Sequence, residues 1–266
     1  MRIYKYWVLE TGTVNLEQGV QEIKCYGGSN ISDEDARVSA REKIEKVKSR
    51  IAGNPNAFDT YEADIREEIV RVINEKAIVT RNRYGAQVLN VQDLMILDID
   101  KPKESLWDRF RRHADAKDKF KIAEMVWLLS KKDTYQGCGF RIYETRNGVR
   151  VIVLGKTFDP RAKETVAMME EFNCDPLYMF LCRKQACFRA RLTPKPSRMN
   201  LRAHKVKFPR DAEAERAVQE WLIGYEAASQ NFSVCKFNGQ IGEMQIPEAV
   251  RFHDEMTGIN WNKKLA

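Results

Sequence analysis

Two carboxylates stand two positions apart directly after an apolar run. The stretch LMILDID ends in Asp98 and Asp100. On a strand, alternation places both side chains on one face and Ile99 on the other. Adjacent carboxylates repel each other unless a cation lies between them, and a hard divalent cation is the usual partner. We therefore predict a site for Mg2+ or Mn2+; the alternative is two exposed acids at a strand end before Lys101.

A third acid, Asp175, directly precedes the run PLYMFLCR. That run is apolar on both faces, which is typical of a central buried strand. A sheet that contains both strands would bring Asp175 near the end of the first one. The three acids would then share metal ions that stabilise the attacking and leaving oxygens of a phosphoryl transfer. The other interpretation is a turn residue ahead of Pro176.

Cationic side chains accompany these acids. Guanidinium groups suit phosphate oxygens, and a tyrosine ring beside a cation can stack on a base. The candidate nucleotide-binding residues are Arg146, Arg150, Arg189, Arg191 and Lys195, and the candidate nucleic-acid-binding residues are Arg81, Arg83 and Tyr84. An arginine-rich sheet edge in water is the alternative.

Local patterns predict the elements that must position these groups. Short strands with turns are expected over 1–31, a helix from an N-cap at Ser32, and a second helix over about 62–75. Three extended pieces follow: AIVTRNR, AQVLN and LMILDID. The segment 104–130 is predicted to be a broken helix whose core candidates are Trp107, Phe110, Val126 and Trp127.

Turn and cap signals organise the rest of the chain. Asn147 and Gly148 lie between two alternating apolar runs, which predicts a β-hairpin. Asp159 and Pro160 open another helix that ends near Asn173. After the strands PLYMFLCR and CFRARLTP come a helix over about 211–229 and a hairpin-like NFSVCKFNGQIG.

The order of elements over 93–192 is strand, helix, hairpin, helix, strand and one further strand. This is the split βαβ arrangement of ferredoxin-like and RNA-recognition-motif-like sheets. We predict an α+β fold with such a core at 77–200, an N-terminal elaboration at 1–76, and a C-terminal helix plus hairpin at 201–266. No linker separates these parts, so one compact unit is expected.

Length, composition and charge limit the class of protein and its possible partners. With 266 residues, of which 43% are hydrophobic, the chain can bury a sizeable core. No apolar stretch is long enough to cross a bilayer, and the N-terminal MRIYKYW lacks the apolar centre of a signal peptide, so we expect a cytoplasmic protein without a membrane partner. The net charge of +7 permits a polyanionic partner.

The succession of LMILDID, TRNGVRVIV and DPLYMFLCRKQACFRARLTPKP resembles the three-motif layout of the archaeo-eukaryotic primase superfamily, the primase-polymerases. The resemblance covers about 77–198 and implies an RNA-recognition-motif-like catalytic module that binds two divalent metals. It also implies that Asp98 and Asp100 match the first motif and Asp175 the third. Arg189 and Arg191 fall where that family has phosphate-contacting residues. In the second motif Arg150 takes the place of a histidine, which favours nucleotide binding over polymerase activity.

Two further groupings have alternative interpretations. Cys174, Cys182 and Cys187, with His204 downstream, would suit zinc, but the absence of a CxxC pair favours buried structural thiols. The neighbours His253 and Asp254 would suit an acid–base pair, although adjacent residues diverge around a helix axis, which favours a surface position.

The sequence therefore leaves three functional hypotheses. The first is a metal-dependent nucleotidyltransferase that acts on nucleic acid with nucleoside triphosphates. The second is a nucleotide- or nucleic-acid-binding module with the same fold. The third is a metal-dependent nuclease or phosphodiesterase that uses water as the nucleophile.

Overall fold

A long β-hairpin and one helix form the N-terminal part of the computed structural model, which describes residues 1–53, 63–101 and 114–266. Strands β1 (Tyr6–Leu16) and β2 (Gly19–Ser29) pair in antiparallel fashion along their full length. Helix α1 (Asp33–Ile51) packs across both strands. The predicted cap is confirmed, because the Ser32 hydroxyl accepts from the Asp35 N–H at 3.1 Å.

A four-stranded antiparallel sheet, here called sheet I, follows in the chain. Its order is β3–β4–β5–β9, with bounds β3 Glu68–Asn74, β4 Ala77–Arg81, β5 Gln87–Val91 and β9 Phe188–Arg191. The extended pieces AIVTRNR and AQVLN thus contain β4 and β5, as predicted. β9 comes from a hundred residues further along the chain and pairs with β5, Val88 lying opposite Arg191.

A second four-stranded antiparallel sheet, sheet II, has the order β11–β7–β8–β6. Its strands are β6 Ile96–Asp100, β7 Gly139–Thr145, β8 Gly148–Leu154 and β11 Cys235–Ile241. The hairpin predicted from Asn147 and Gly148 is confirmed as β7 and β8. In this register Asp98 of β6 lies opposite Arg150 of β8.

Five helices follow the strand β6 in the described parts of the chain. They are α2 Ala114–Ser130, α3 Lys163–Glu171, α4 Pro176–Gln185, α5 Ala212–Ser229 and α6 Glu248–Thr257. Two short strands, β10 (Phe232–Ser233) and β12 (Lys264–Leu265), pair in parallel. The helix predicted over 211–229 is confirmed, with the Asp211 carboxylate accepting from the Ala214 N–H at 2.8 Å.

One main hydrophobic core joins the two sheets. Fully buried side chains from sheet I (Val79, Leu89), from sheet II (Leu97, Val151) and from α3 (Met169) belong to the same cluster. β3 precedes the predicted boundary at 76 yet pairs with β4, and β11 follows the boundary at 200 yet pairs with β7. The sheets therefore join residues from all three predicted regions.

Two elements were predicted wrongly. The helix over about 62–75 is a bridge from Ile65 to Ile3 followed by β3, within the residues that the structure describes. The apolar spacing of this segment fits both the helical and the strand period, and pairing with β4 makes it a strand. The run PLYMFLCR is helix α4, which buries Met179 and Cys182 and leaves Leu177 and Phe180 exposed.

Smaller corrections concern the C-terminal strands and the core. NFSVCKFNGQIG is not a hairpin, because β10 pairs with β12 and β11 pairs with β7. Val126 is fully buried as predicted, whereas the side chain of Trp127 is half exposed. Trp107 and Phe110 lie outside the described residues.

The fold is α+β, as predicted, with several antiparallel sheets. The fourth strand expected in the RNA-recognition-motif-like sheet, PLYMFLCR, is helix α4, and the further strand β9 lies in sheet I. Among the described helices, none combines the length and apolarity required to cross a membrane.

Candidate functional site

The facing edges of the two sheets enclose a cleft of about 710 Å³. Its walls carry side chains from β6, β8 and β9, from the turn between β4 and β5, and from α4. Its charged members are Asp64, Arg66, Glu67, Arg83, Asp98, Arg150, Arg189, Arg191 and Lys207, and Tyr84 is among its polar members. Most of the side chains singled out in the sequence therefore reach one concave surface.

The three predicted acids lie close to one another, and Asp98 among them lines the cleft. The Asp175 N–H donates to the Asp98 carbonyl oxygen at 2.9 Å, which joins the start of α4 to β6. The pKa of Asp100 is raised, first by partial burial of its carboxyl group and then by the charges of Asp98 and Asp175. The three acids thus lie close together, as predicted. The backbones of Asp98 and Asp175 are in contact, and the charges of both raise the pKa of Asp100.

The three acids differ in what holds their side chains. The Asp175 carboxylate caps α4 by accepting from the Tyr178 N–H at 2.7 Å, so the structural role considered for it is real. The carboxylates of Asp98 and Asp100 accept no hydrogen bond and form no ion pair with the described part of the chain. They are two negative charges without a direct counter-charge.

No group of three or more His, Cys, Asp or Glu side chains is arranged to hold a metal ion within residues 1–53, 63–101 and 114–266. A metal site shared by Asp98, Asp100 and Asp175 therefore stays a prediction, as does zinc. Cys174, Cys182 and Cys187 are buried, as the favoured interpretation of them required.

A group of cations lies near these acids. Burial lowers the pKa of Arg191 to about 10, with Arg198 and Arg150 lowering it further through like-charge repulsion. The pKa of Lys195 is lowered in the same way, by partial burial and by Arg191 and Arg198. Charges that depress one another's pKa lie close together. Asp98 opposes this effect on both Arg191 and Lys195 but forms an ion pair with neither.

The Arg191, Lys195 and Arg198 side chains form no ion pair or hydrogen bond with the residues described here. Arg146, exposed at the hairpin tip, adds a fourth charge that lowers the pKa of Arg198. Arg198 was not among the predicted site residues. Its signal was the cationic run after β9, in the stretch TPKPSR.

Two of the other predicted cations, Arg189 and Arg81, are already neutralised. Arg189 forms an ion pair with Glu67 at 2.5 Å, and Arg81 pairs with Glu68 at 3.4 Å. Although Arg189 and Arg191 lie on one face of β9, only Arg191 remains available to an anion. At the lip of the cleft, the Arg83 guanidinium lies 4.7 Å from the centre of the Tyr84 ring.

Arg150 is buried and lies opposite Asp98. One of its terminal nitrogens, Nη1, donates to the Arg191 carbonyl oxygen at 3.0 Å and contacts His253 Nε2 at 3.1 Å. The surface position expected for His253 is wrong, because His253 is fully buried. The missed signal is helical spacing, since Val250, His253 and Thr257 continue the buried stripe of α6.

Comparisons with known proteins identify no relative of this chain. The chain matches no protein-family model, and no curated protein or solved structure is significantly similar to it. The charges and contacts of the cleft are therefore the observations that bear on function.

Proposed function

We propose that the cleft binds a nucleoside triphosphate together with Mg2+ or Mn2+ and transfers its nucleotidyl group to a nucleic-acid 3′-hydroxyl. One observation carries this proposal. Asp98 and Asp100, which form no ion pair with a described residue, lie close to cations that are likewise unpaired. Both acids act to raise the pKa of Lys195 and of Arg198, against burial and like charges, and Asp98 does the same for Arg191.

Neighbouring opposite charges normally collapse into ion pairs when their side chains can reach one another. Here both sets are separated by more than ion-pair distance, so they suit a ligand that carries both signs. A metal–triphosphate complex has this character, because its phosphate oxygens attract the arginines and its cation attracts the carboxylates. A simple anion would satisfy the arginines and leave the acids repelling it.

The carboxylates fit a hard divalent cation by donor chemistry. Asp98 and Asp100 supply oxygen atoms that no other described side chain engages, and burial together with the charges of Asp98 and Asp175 raises the pKa of Asp100. Asp175 would contribute from the start of α4. When bound, the cation would neutralise charge that develops on the phosphates and lower the pKa of the attacking hydroxyl.

The chain's own residues bind and orient the reactants in this scheme. Arg191, Lys195 and Arg198 hold the triphosphate, and Tyr84 with Arg83 offers a stacking surface for a base at the lip. A bond forms between the 3′-oxygen and the α-phosphorus, while the bond from that phosphorus to the bridging oxygen breaks. Pyrophosphate leaves with the electron pair, and the hydroxyl proton passes to water.

The arrangement of sheet II supports the resemblance to primase-polymerases. A split βαβ unit has a third strand between the two strands that its helix connects. β8 lies between β6 and β7 in this way, with α2 preceding β7. The pair Asp98 and Asp100 then occupies the end of the first strand, where the family has its first acidic motif.

The test is a reaction of purified protein with labelled primer–template, nucleoside triphosphates and Mn2+. Primer extension supports the proposal. Shortening of the strand would indicate the hydrolase, and retention of nucleic acid without product would indicate the binding module. Asp98→Ala abolishes extension if the proposal is correct, whereas Glu220→Gln, which removes one exposed charge on α5, leaves extension unchanged.

A further inference from the structure

A buried chain of hydrogen bonds connects the cleft to the C-terminal helix α6. Arg150 Nη1 lies 3.1 Å from His253 Nε2, and His253 Nδ1 lies 3.0 Å from Asp254 Oδ1. His253 is fully buried, and Arg150 is 3% exposed. We infer that His253 and Asp254 are positioning residues, which fix the Arg150 guanidinium as an anion-binding group in the floor of the cleft.

The donors and acceptors have only one consistent assignment. A guanidinium carries donors alone, so the Nε2 atom of His253 must accept from Arg150. The proton of the neutral imidazole then lies on Nδ1 and is donated to the Asp254 carboxylate. Asp254 thereby selects the tautomer that can receive Arg150, as a second partner does for many functional histidines.

Asp254 is itself held on two further sides. Its Oδ1 atom accepts from the Tyr143 hydroxyl at 2.7 Å, and its Oδ2 atom accepts from Arg141. The Tyr143 ring also meets the imidazole edge-on, with 5.0 Å between ring centres. Tyr143 lies directly opposite Arg150 in the pairing of β7 with β8, so the chain closes back on the strand that carries Arg150.

Arg150 remains unsatisfied despite these contacts. Its Nε atom is buried and has no hydrogen-bond partner among the described residues. Nη1 is fully used by the Arg191 carbonyl oxygen, the Cys235 sulfur and His253. The contacts of Nη1 therefore hold the guanidinium in place. Arg150 also lines the cleft, as Asp98 does.

A fixed cation binds an anion with less loss of conformational freedom than a mobile one. Arg150 replaces the histidine of the second primase motif, and arginine has a longer, more flexible side chain. The network from α6 removes that flexibility. This inference rests on the proposed function for the triphosphate as ligand, but the positioning residues, His253 and Asp254, lie outside the segment that resembles the primases.

Two substitutions of His253 distinguish a role in positioning Arg150 from a role in packing alone. In His253→Gln the amide reaches about as far as Nε2 and offers an acceptor to Arg150. In His253→Asn the amide reaches only about as far as Nδ1, so it keeps the contact with Asp254 and loses the one with Arg150. Binding of inorganic tripolyphosphate and of ATP, each with Mg2+, is measured by calorimetry on the full chain, after thermal melting has verified folding.

We expect Arg150→Ala and His253→Asn each to weaken tripolyphosphate binding about tenfold or more, and His253→Gln to weaken it less than about threefold. In the Arg150→Ala background, His253→Asn should have no further effect, because its influence passes through Arg150. Arg216→Ala, an exposed arginine on α5, serves as the control for simple loss of charge.

Failure of the proposed function and failure of the positioning role give different results. Absence of tripolyphosphate and ATP binding by the unmodified chain overturns the proposed function itself. Binding that depends on Arg150, but is equal in His253→Gln and His253→Asn or additive in the double variant, overturns the positioning role alone. If His253→Asn does not fold, Asp254→Asn replaces it, and an unchanged affinity in that variant also overturns the role.

Discussion

The backbone N–H of Asp175 donates to the carbonyl oxygen of Asp98 at 2.9 Å. This bond joins the first turn of α4 to the strand β6, although the two residues are far apart in the chain. The Asp175 side chain is used at the same time to cap α4. An acid that the sequence suggested as a ligand therefore also fixes the backbone on which the other two acids lie.

The carboxylate pair is expected to bind metal without supporting the fold. In the double variant Asp98→Ala and Asp100→Ala, calorimetric titration with Mn2+ should show no binding. Neither carboxylate accepts a hydrogen bond from a described residue, so the melting temperature should stay the same or rise slightly as repulsion is removed. Unchanged affinity for Mn2+ would show that the metal site is elsewhere or does not exist.

Removal of Arg191 and removal of Arg189, both on β9, should have different effects: the first on ATP binding and the second on stability. Arg191 is an unpaired cation among like charges, so Arg191→Ala should weaken ATP binding about tenfold or more while preserving stability. Arg189 is paired with Glu67, and Arg189→Ala should lower the free energy of unfolding by roughly 1–3 kcal/mol because Glu67 is left uncompensated. Urea unfolding and calorimetry on both variants measure the two effects. Equal losses of ATP affinity would argue for nonspecific attraction.

The buried histidine should make the fold sensitive to acid. Burial lowers the pKa of His253 to about 4, from an ordinary value of 6.5. The unfolded chain therefore binds a proton before the folded chain does, and stability present above pH 6.5 is lost as the pH falls toward 4. From this residue alone we expect a loss of about 2 kcal/mol between about pH 7.5 and about pH 5.

His253→Gln is the reference for that measurement, because glutamine does not titrate. The difference in unfolding free energy between the unmodified chain and this variant should change by the stated amount over the same pH interval. A difference that is independent of pH would mean that His253 is not held neutral in the fold.

A glycine on β2 allows the close packing of α1. A Cβ atom at Gly27 would lie 1.9 Å from the Ala36 carbonyl oxygen and 2.3 Å from the Ala40 nitrogen. Gly27→Ala should therefore destabilise the protein by about 1–3 kcal/mol or more, since backbone must move. Gly224→Ala in α5 is the matched control: nothing lies within 4 Å of its added Cβ, so helix propensity should raise stability by roughly 0.5–1 kcal/mol. Melting curves of both variants provide the measurement.

Elements with local signals were predictable from the sequence. The cap at Ser32 and the turn at Asn147 and Gly148 each involve residues within a few positions of one another. Such contacts form in the same way whatever the remainder of the chain does. The run PLYMFLCR was misread because a short apolar segment has no period that separates strand from helix, and its Asp-Pro start was the only local clue.

The candidate site was predictable in its chemistry but not in its pairing. The sequence by itself determined that Asp98 and Asp100 share a strand face, and that Arg189 and Arg191 share another, because alternation follows from backbone geometry. Only the tertiary structure decided that Glu67 neutralises Arg189 while Arg191 stays unpaired, and that His253 is buried against Arg150. Those outcomes depend on residues brought together from distant parts of the chain, and the energy of a charge is set by such neighbours rather than by its position in the sequence.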